Sequence, residues 1–70
     1  MEKHNVLAFA LEQSATRMRG EESKCRRQLV AFGDATTPLA IVTATLADLH
    51  AKAAHVYEDA LAVLLEGGAL

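Results

Sequence analysis

Three histidines, one cysteine and a short run of charges are the residues of this 70-residue chain with the means to do chemistry. His50 and His55 stand five apart. On a helix that separates them by about 140°, so they share no ligand face. Neither an HExxH pattern nor a Cys/His cluster is present, so no metal site is expected. His55 precedes Glu58 and Asp59 by three and four residues, the spacing of ordinary helix-surface pairs. His50 reads as a rim residue, and His4 falls in the first turn, where helices fray. Lys24, Arg26 and Arg27 surround Cys25, and cations lower a thiol pKa. No His stands beside Cys25 in sequence and no oxyanion-hole motif accompanies it. The expectation is a small hydrophobe in a packed row rather than a nucleophile.

Arg17, Arg19, Lys24, Arg26 and Arg27 form the one basic cluster, with Glu21 and Glu22 interleaved. Arg17–Glu21 and Glu22–Arg26 have i,i+4 spacing, which predicts a solvated, ion-paired face. No aromatics alternate with these charges, as single-stranded nucleic acid would require. The net charge of −2 also argues against a dedicated nucleic-acid binder. Paired carboxylates, a phosphate-cradling glycine loop and a Ser/His/Asp set are all missing. The sequence therefore predicts no enzyme, no cofactor and no small-molecule substrate.

Composition says what carries these residues. The chain is 51% hydrophobic but only 4% aromatic, without Trp, and Ala and Leu dominate. These are helix formers and poor strand material, so the class is all-α. A lone Cys forms no internal disulfide. The apolar run Val6–Leu11 is short for a signal-peptide core and Glu2 precedes it, so the expected setting is the cytoplasm. No run approaches the ~20 residues of a membrane span.

Punctuation divides the chain in two. Gly33 suits the left-handed end of a helix, Thr37 an N-cap and Pro38 the first helical position. Gly67-Gly68 is a second stop. The reading is one small domain: helix 1 over about 3–32, a loop at 33–37, and helix 2 over about 38–66. Each helix would be about 45 Å long. The short loop predicts an antiparallel hairpin. Gly20 inside helix 1 leaves a kink or break near 19–22 as an alternative.

Apolar spacing predicts the packing. Ala8, Leu11, Ala15, Met18, Cys25, Leu29 and Phe32 mark helix 1, with Glu22 the one polar residue in the row. Leu39, Val42, Leu46, Leu49, Ala53, Val56, Ala60 and Val63 form a heptad-like stripe on helix 2. Ala47, Ala54, Tyr57, Leu61 and Leu64 widen it. Val56, Tyr57, Leu61 and Leu64 are expected in the hairpin core, and Leu39, Val42, Leu46 and Leu49 as core or contact residues. This surface exceeds what one hairpin covers. The prediction is completion by oligomerisation or by a protein partner; the alternative is a self-contained bundle in which a break at Gly20 makes a third helix that covers the rest. Residues 1–35 hold six cations and five anions, while 36–70 hold one cation and four anions, an asymmetry that can select partners.

Three local features carry a family resemblance. They are Cys25-Arg26-Arg27-Gln28-Leu29, the Gly33…Pro38 turn, and Tyr57-Glu58-Asp59-Ala60-Leu61-Ala62-Val63-Leu64. Across residues 25–65 the chain resembles the small helical-hairpin co-chaperones of type III secretion needle subunits. That resemblance implies a cytoplasmic protein that binds a larger helical-repeat chaperone and helps keep a needle subunit monomeric. The residues by themselves predict a non-catalytic protein-interaction module, an adaptor or co-chaperone working through apolar stripes. The alternative is a small regulatory or phage-type inhibitor that docks on a host enzyme or nucleic-acid complex through Arg17, Arg19, Lys24, Arg26 and Arg27.

Overall fold

The computed structural model describes residues 3–67, with side chains for residues 5–67. Helix α1 spans Lys3–Phe32 and helix α2 spans Pro38–Gly67, and they pack against each other as a hairpin. The class is all-α, as composition predicted. Helix α1 runs through Gly20 without interruption, so the break near 19–22 does not occur. The His4 side chain and Gly68 lie outside the described residues.

The turn is built by side chains standing in for backbone partners. Gly33 takes a φ of 76°, the left-handed conformation that ends α1. Asp34 Oδ1 accepts from the Thr36 N–H at 2.9 Å and from the Thr36 hydroxyl at 2.7 Å. These bonds, the hydroxyl first, hold the Asp34 carboxyl below its ordinary value. Thr37 caps α2 as its sequence position predicts: its hydroxyl accepts from the Ala40 N–H at 3.2 Å. Its carbonyl accepts the first helical bond, from the Ile41 N–H at 3.0 Å. The β-branched start of α2 gains two more local bonds. The hydroxyls of Thr43 and Thr45 donate to the carbonyls of Leu39 and Ile41, four residues back.

The molecule measures 50 × 17 × 12 Å, a ribbon one helix thick. Its radius of gyration is 15.7 Å, against about 11 Å for a compact domain of this length. No large side chain is fully buried. The core consists of Ala15, Cys25, Ala40, Ala47 and Ala54 together with Thr43. The third helix that a broken α1 would have supplied is absent from the described residues, so nothing covers the two broad faces.

Two glycine substitutions test this backbone. An added Cβ at Gly20 meets open space in a regular helix. Gly20→Ala is expected to stabilise the hairpin by about 1 kcal/mol. That corresponds to a melting rise of roughly 4–8 °C for a chain of this size. Gly33 has equal space but a left-handed backbone. Gly33→Ala should therefore lower the melting temperature by a similar amount. Thermal melts followed by circular dichroism check both signs.

Candidate functional site

The seam between the helices is narrow because of its residues. In α2 the side chains turned towards α1 include Ala40, Ala47 and Ala54, seven apart, with Ala47 and Ala54 at 0% exposure. Thr43, Tyr57, Leu61 and Leu64 complete the row, the last three half-buried. In α1 the facing row is Ala8, Leu11, Ala15, Met18, Glu22, Cys25 and Leu29, as its spacing predicts. Phe32 ends that row 37% exposed.

The long apolar stripe of α2 is somewhere else. Leu39, Val42, Leu46, Leu49, Val56 and Val63 are all exposed, from 43% at Leu46 to 68% at Val63. This corrects the assignment of Val56 to the hairpin core, and it takes Leu39, Val42, Leu46 and Leu49 out of that core as well. The physical reason is size. Alanines let two helices approach closely, so the Ala40–Ala47–Ala54 row wins the seam and the bulkier row is turned aside. At ~100° per residue the stripe centres about a quarter-turn away from the seam. It therefore lies on a broad face of the ribbon.

That face continues onto α1 at the open end of the hairpin. Leu7 and Leu11 meet Ala60, Val63 and Leu64, with Asp59 at the edge, around an open groove of about 520 Å³. Leu7 is half-exposed there. Sequence spacing did not single out this groove, because it brings Leu7 and Leu11 against residues at the far end of the chain, from Asp59 to Leu64.

The opposite broad face is charged and internally neutralised. The Arg19 guanidinium grips Glu58 with two bonds, Nε to Oε2 at 2.9 Å and Nη2 to Oε1 at 2.7 Å. Its Nη1 donates to Glu22 Oε1 at 3.0 Å. Glu22 Oε2 accepts from Arg26 Nε at 3.0 Å, and Arg26 reaches Asp48 at 3.6 Å. Charges thus alternate across the seam from Glu58 to Asp48. Glu22, the polar exception in its row, is accommodated because both carboxylate oxygens are taken. Arg26 first and Arg19 second hold Glu22 below its ordinary value, and Arg19 does the same to Glu58. Both arginines are held more firmly in the charged form.

The Glu22–Arg26 pair forms as its spacing predicts, whereas Glu21 pairs with Lys24 at 3.5 Å. Of the proposed charged docking face, Arg19, Lys24 and Arg26 are engaged within the hairpin, and Arg17 and Arg27 stand exposed beside them. His55 lies 4.0 Å from Glu58 and 3.7 Å from Asp59, the neighbours its spacing indicates. His50 is half-buried, and its Nδ1 is buried without a hydrogen-bond partner among the described residues. Cys25 is a free, buried thiol. Among the described residues no group of three or more His, Cys, Asp or Glu is placed to hold a metal ion. No described helix is long and apolar enough to cross a membrane.

The charged face fixes a pH dependence. Glu22 and Glu58 have lowered carboxyl pKa values in the folded hairpin. Their contribution is complete above the ordinary carboxylate value of 4.5 and fades as pH falls through the lowered folded values. The melting temperature should therefore drop in acid. Arg19→Gln should show a shallower drop, because the variant has less to lose. Equal slopes for both proteins in melts between neutral and acid pH would contradict the network.

No protein-family model, curated protein or solved structure matches this chain.

Proposed function

We propose that this chain is a non-catalytic protein-interaction module that works through the apolar face of α2. One observation carries the reading. Leu39, Val42, Leu46, Leu49, Val56 and Val63 of α2 point away from α1, while Ala40, Ala47 and Ala54, with Tyr57, Leu61 and Leu64 towards the open end, hold the hairpin together. Each helix of an ordinary hairpin turns its bulkiest row inward. Here α2 has two seams, one used within the chain and one left free, which is the pattern of an inner helix in a larger bundle.

The charged face supports a docking role less well. Arg19 and Arg26 are already matched by carboxylates of the same hairpin, so displacing them for a partner exchanges one set of ion pairs for another. The free apolar face has no such competitor. An adaptor or co-chaperone role in the cytoplasm is the specific form of this reading. Its type III secretion version rests on the local sequence resemblance over residues 25–65.

The test is affinity capture from the native host with three baits. The wild-type chain should capture a defined partner, and Arg19→Gln should retain it. Leu46→Asp should lose it, because a charge would be buried unpaired. Leu46 is outside the seam, so its replacement should change hairpin stability by less than about 0.5 kcal/mol. Capture that survives Leu46→Asp but fails with Arg19→Gln would move the function to the charged face.

A further inference from the structure

We infer that the occupant of the free α2 face is a second copy of this chain, bound antiparallel, so that α2 packs on the partner's α2 in a two-fold dimer of hairpins. This rests on the interaction reading above and names the partner.

Area is the first argument. A compact monomer of 7.5 kDa exposes about 4,200 Å² by the size scaling of folded proteins. The hairpin exposes 5171 Å², an excess of about 900 Å². Each partner in a stable standard-size interface buries about 800 Å². The broad face of the ribbon, 50 × 17 Å, has about that area. One more hairpin of equal size therefore accounts for the excess.

Volume along the stripe sets the direction. Its first half is bulky, with Leu39, Val42, Leu46 and Leu49, and its second half is slighter, with Ala53, Val56, Ala60 and Val63. A parallel pair would crowd leucines at one end and set alanine against alanine at the other. An antiparallel pair about a two-fold axis between Leu49 and Ala53 evens the layers. It sets Leu49 over Ala53 of the partner subunit, Leu46 over Val56 of the partner subunit, and Val42 over Ala60 of the partner subunit. Native-like packing density requires such matching of large with small.

The open-end groove gives an independent match. The same register brings Leu39 of the partner subunit, 61% exposed at its own turn, over Val63. Val63 lines the groove formed with Leu7, Leu11, Ala60 and Leu64. By symmetry each groove receives one leucine. Charge does not oppose the contact: the ion-paired network occupies the other broad face, Asp59 at the groove's edge is 69% exposed to water, and Lys52, on the stripe's flank, has a long stem that can turn to water. An isologous interface of this kind closes on itself.

Sedimentation equilibrium of the full chain at micromolar concentration should give twice 7.5 kDa. Leu46→Asp should give the single-chain mass while keeping its far-ultraviolet helical signal. Direction is read by disulfide trapping in a Cys25→Ser background, with Leu39→Cys and Val63→Cys chains mixed under mild oxidation. The expected product links residue 39 of one chain to residue 63 of the other. Self-linked Val63→Cys chains in place of the mixed product would overturn the antiparallel arrangement. A wild-type mass of one chain would overturn the second copy; the interaction reading would stand if Leu46→Asp still abolished partner capture. A dimer unchanged by both Leu46→Asp and Leu49→Glu would overturn the inference and the α2 face together.

Discussion

Everything in this structure follows from the spacing of three alanines. Ala40, Ala47 and Ala54 recur every seven residues on α2 and vanish from the surface against α1. A side chain of one methyl sets the distance of closest approach between two helices. It does so at the cost of apolar area, since burying an alanine removes far less surface from water than burying a leucine. The seam is therefore tight but thin. The bulk of the hydrophobic driving force in α2 is held by residues that the hairpin itself does not use.

The charged face compensates for part of that thinness by specifying alignment. Alanines packed along a groove tolerate sliding, because adjacent turns look alike to the opposing helix. The bidentate Arg19–Glu58 contact and the Arg26–Asp48 contact lie at two levels across the seam. Together they define one axial register. Exposed pairs of this type contribute little energy, but a shifted register would part Arg19 from Glu58 and Arg26 from Asp48, while the Glu22 contacts, internal to α1, would persist. At the other end the Gly33, Asp34 and Thr37 interactions fix where α2 begins. The fold is thus specified by its ends and its charges and held by its alanines.

Much of this is legible in the sequence. Gly33 and Pro38 mark the turn, Thr37 the cap, and the spacing from Ala8 to Leu29 the inner face of α1. The Glu22–Arg26 pair is a matter of i,i+4 geometry. What misleads is the ranking of rows on α2. Hydrophobicity favours the Leu39–Val63 stripe, and closeness of approach favours the alanines beside it. Only the second criterion decides which row faces another helix of the same chain. The Arg19–Glu58 contact is invisible for a different reason. It spans 39 positions, and nothing local indicates which carboxylate of α2 will lie opposite. Gly20 misleads in the other direction: its cost of about 1 kcal/mol is too small to break a helix whose neighbours on both sides are packed.

A ribbon one helix thick has no interior in the usual sense, so its stability and its interactions are not separate properties. In a thicker domain a surface leucine can be replaced without consequence for the core. Here the α2 stripe is as extensive as the seam and richer in large side chains. A chain bound there, as proposed above, would add its apolar burial to that of a thin seam. Folding and the proposed association would then be linked by mass action, and apparent stability would rise with the concentration of the covering chain. The division of labour on α2 makes this linkage work. The alanine seam and the charged register preorganise the hairpin, so the leucine face would be ordered before the proposed partner binds. Less conformational entropy then remains to be lost on binding, which favours affinity independently of any added contact.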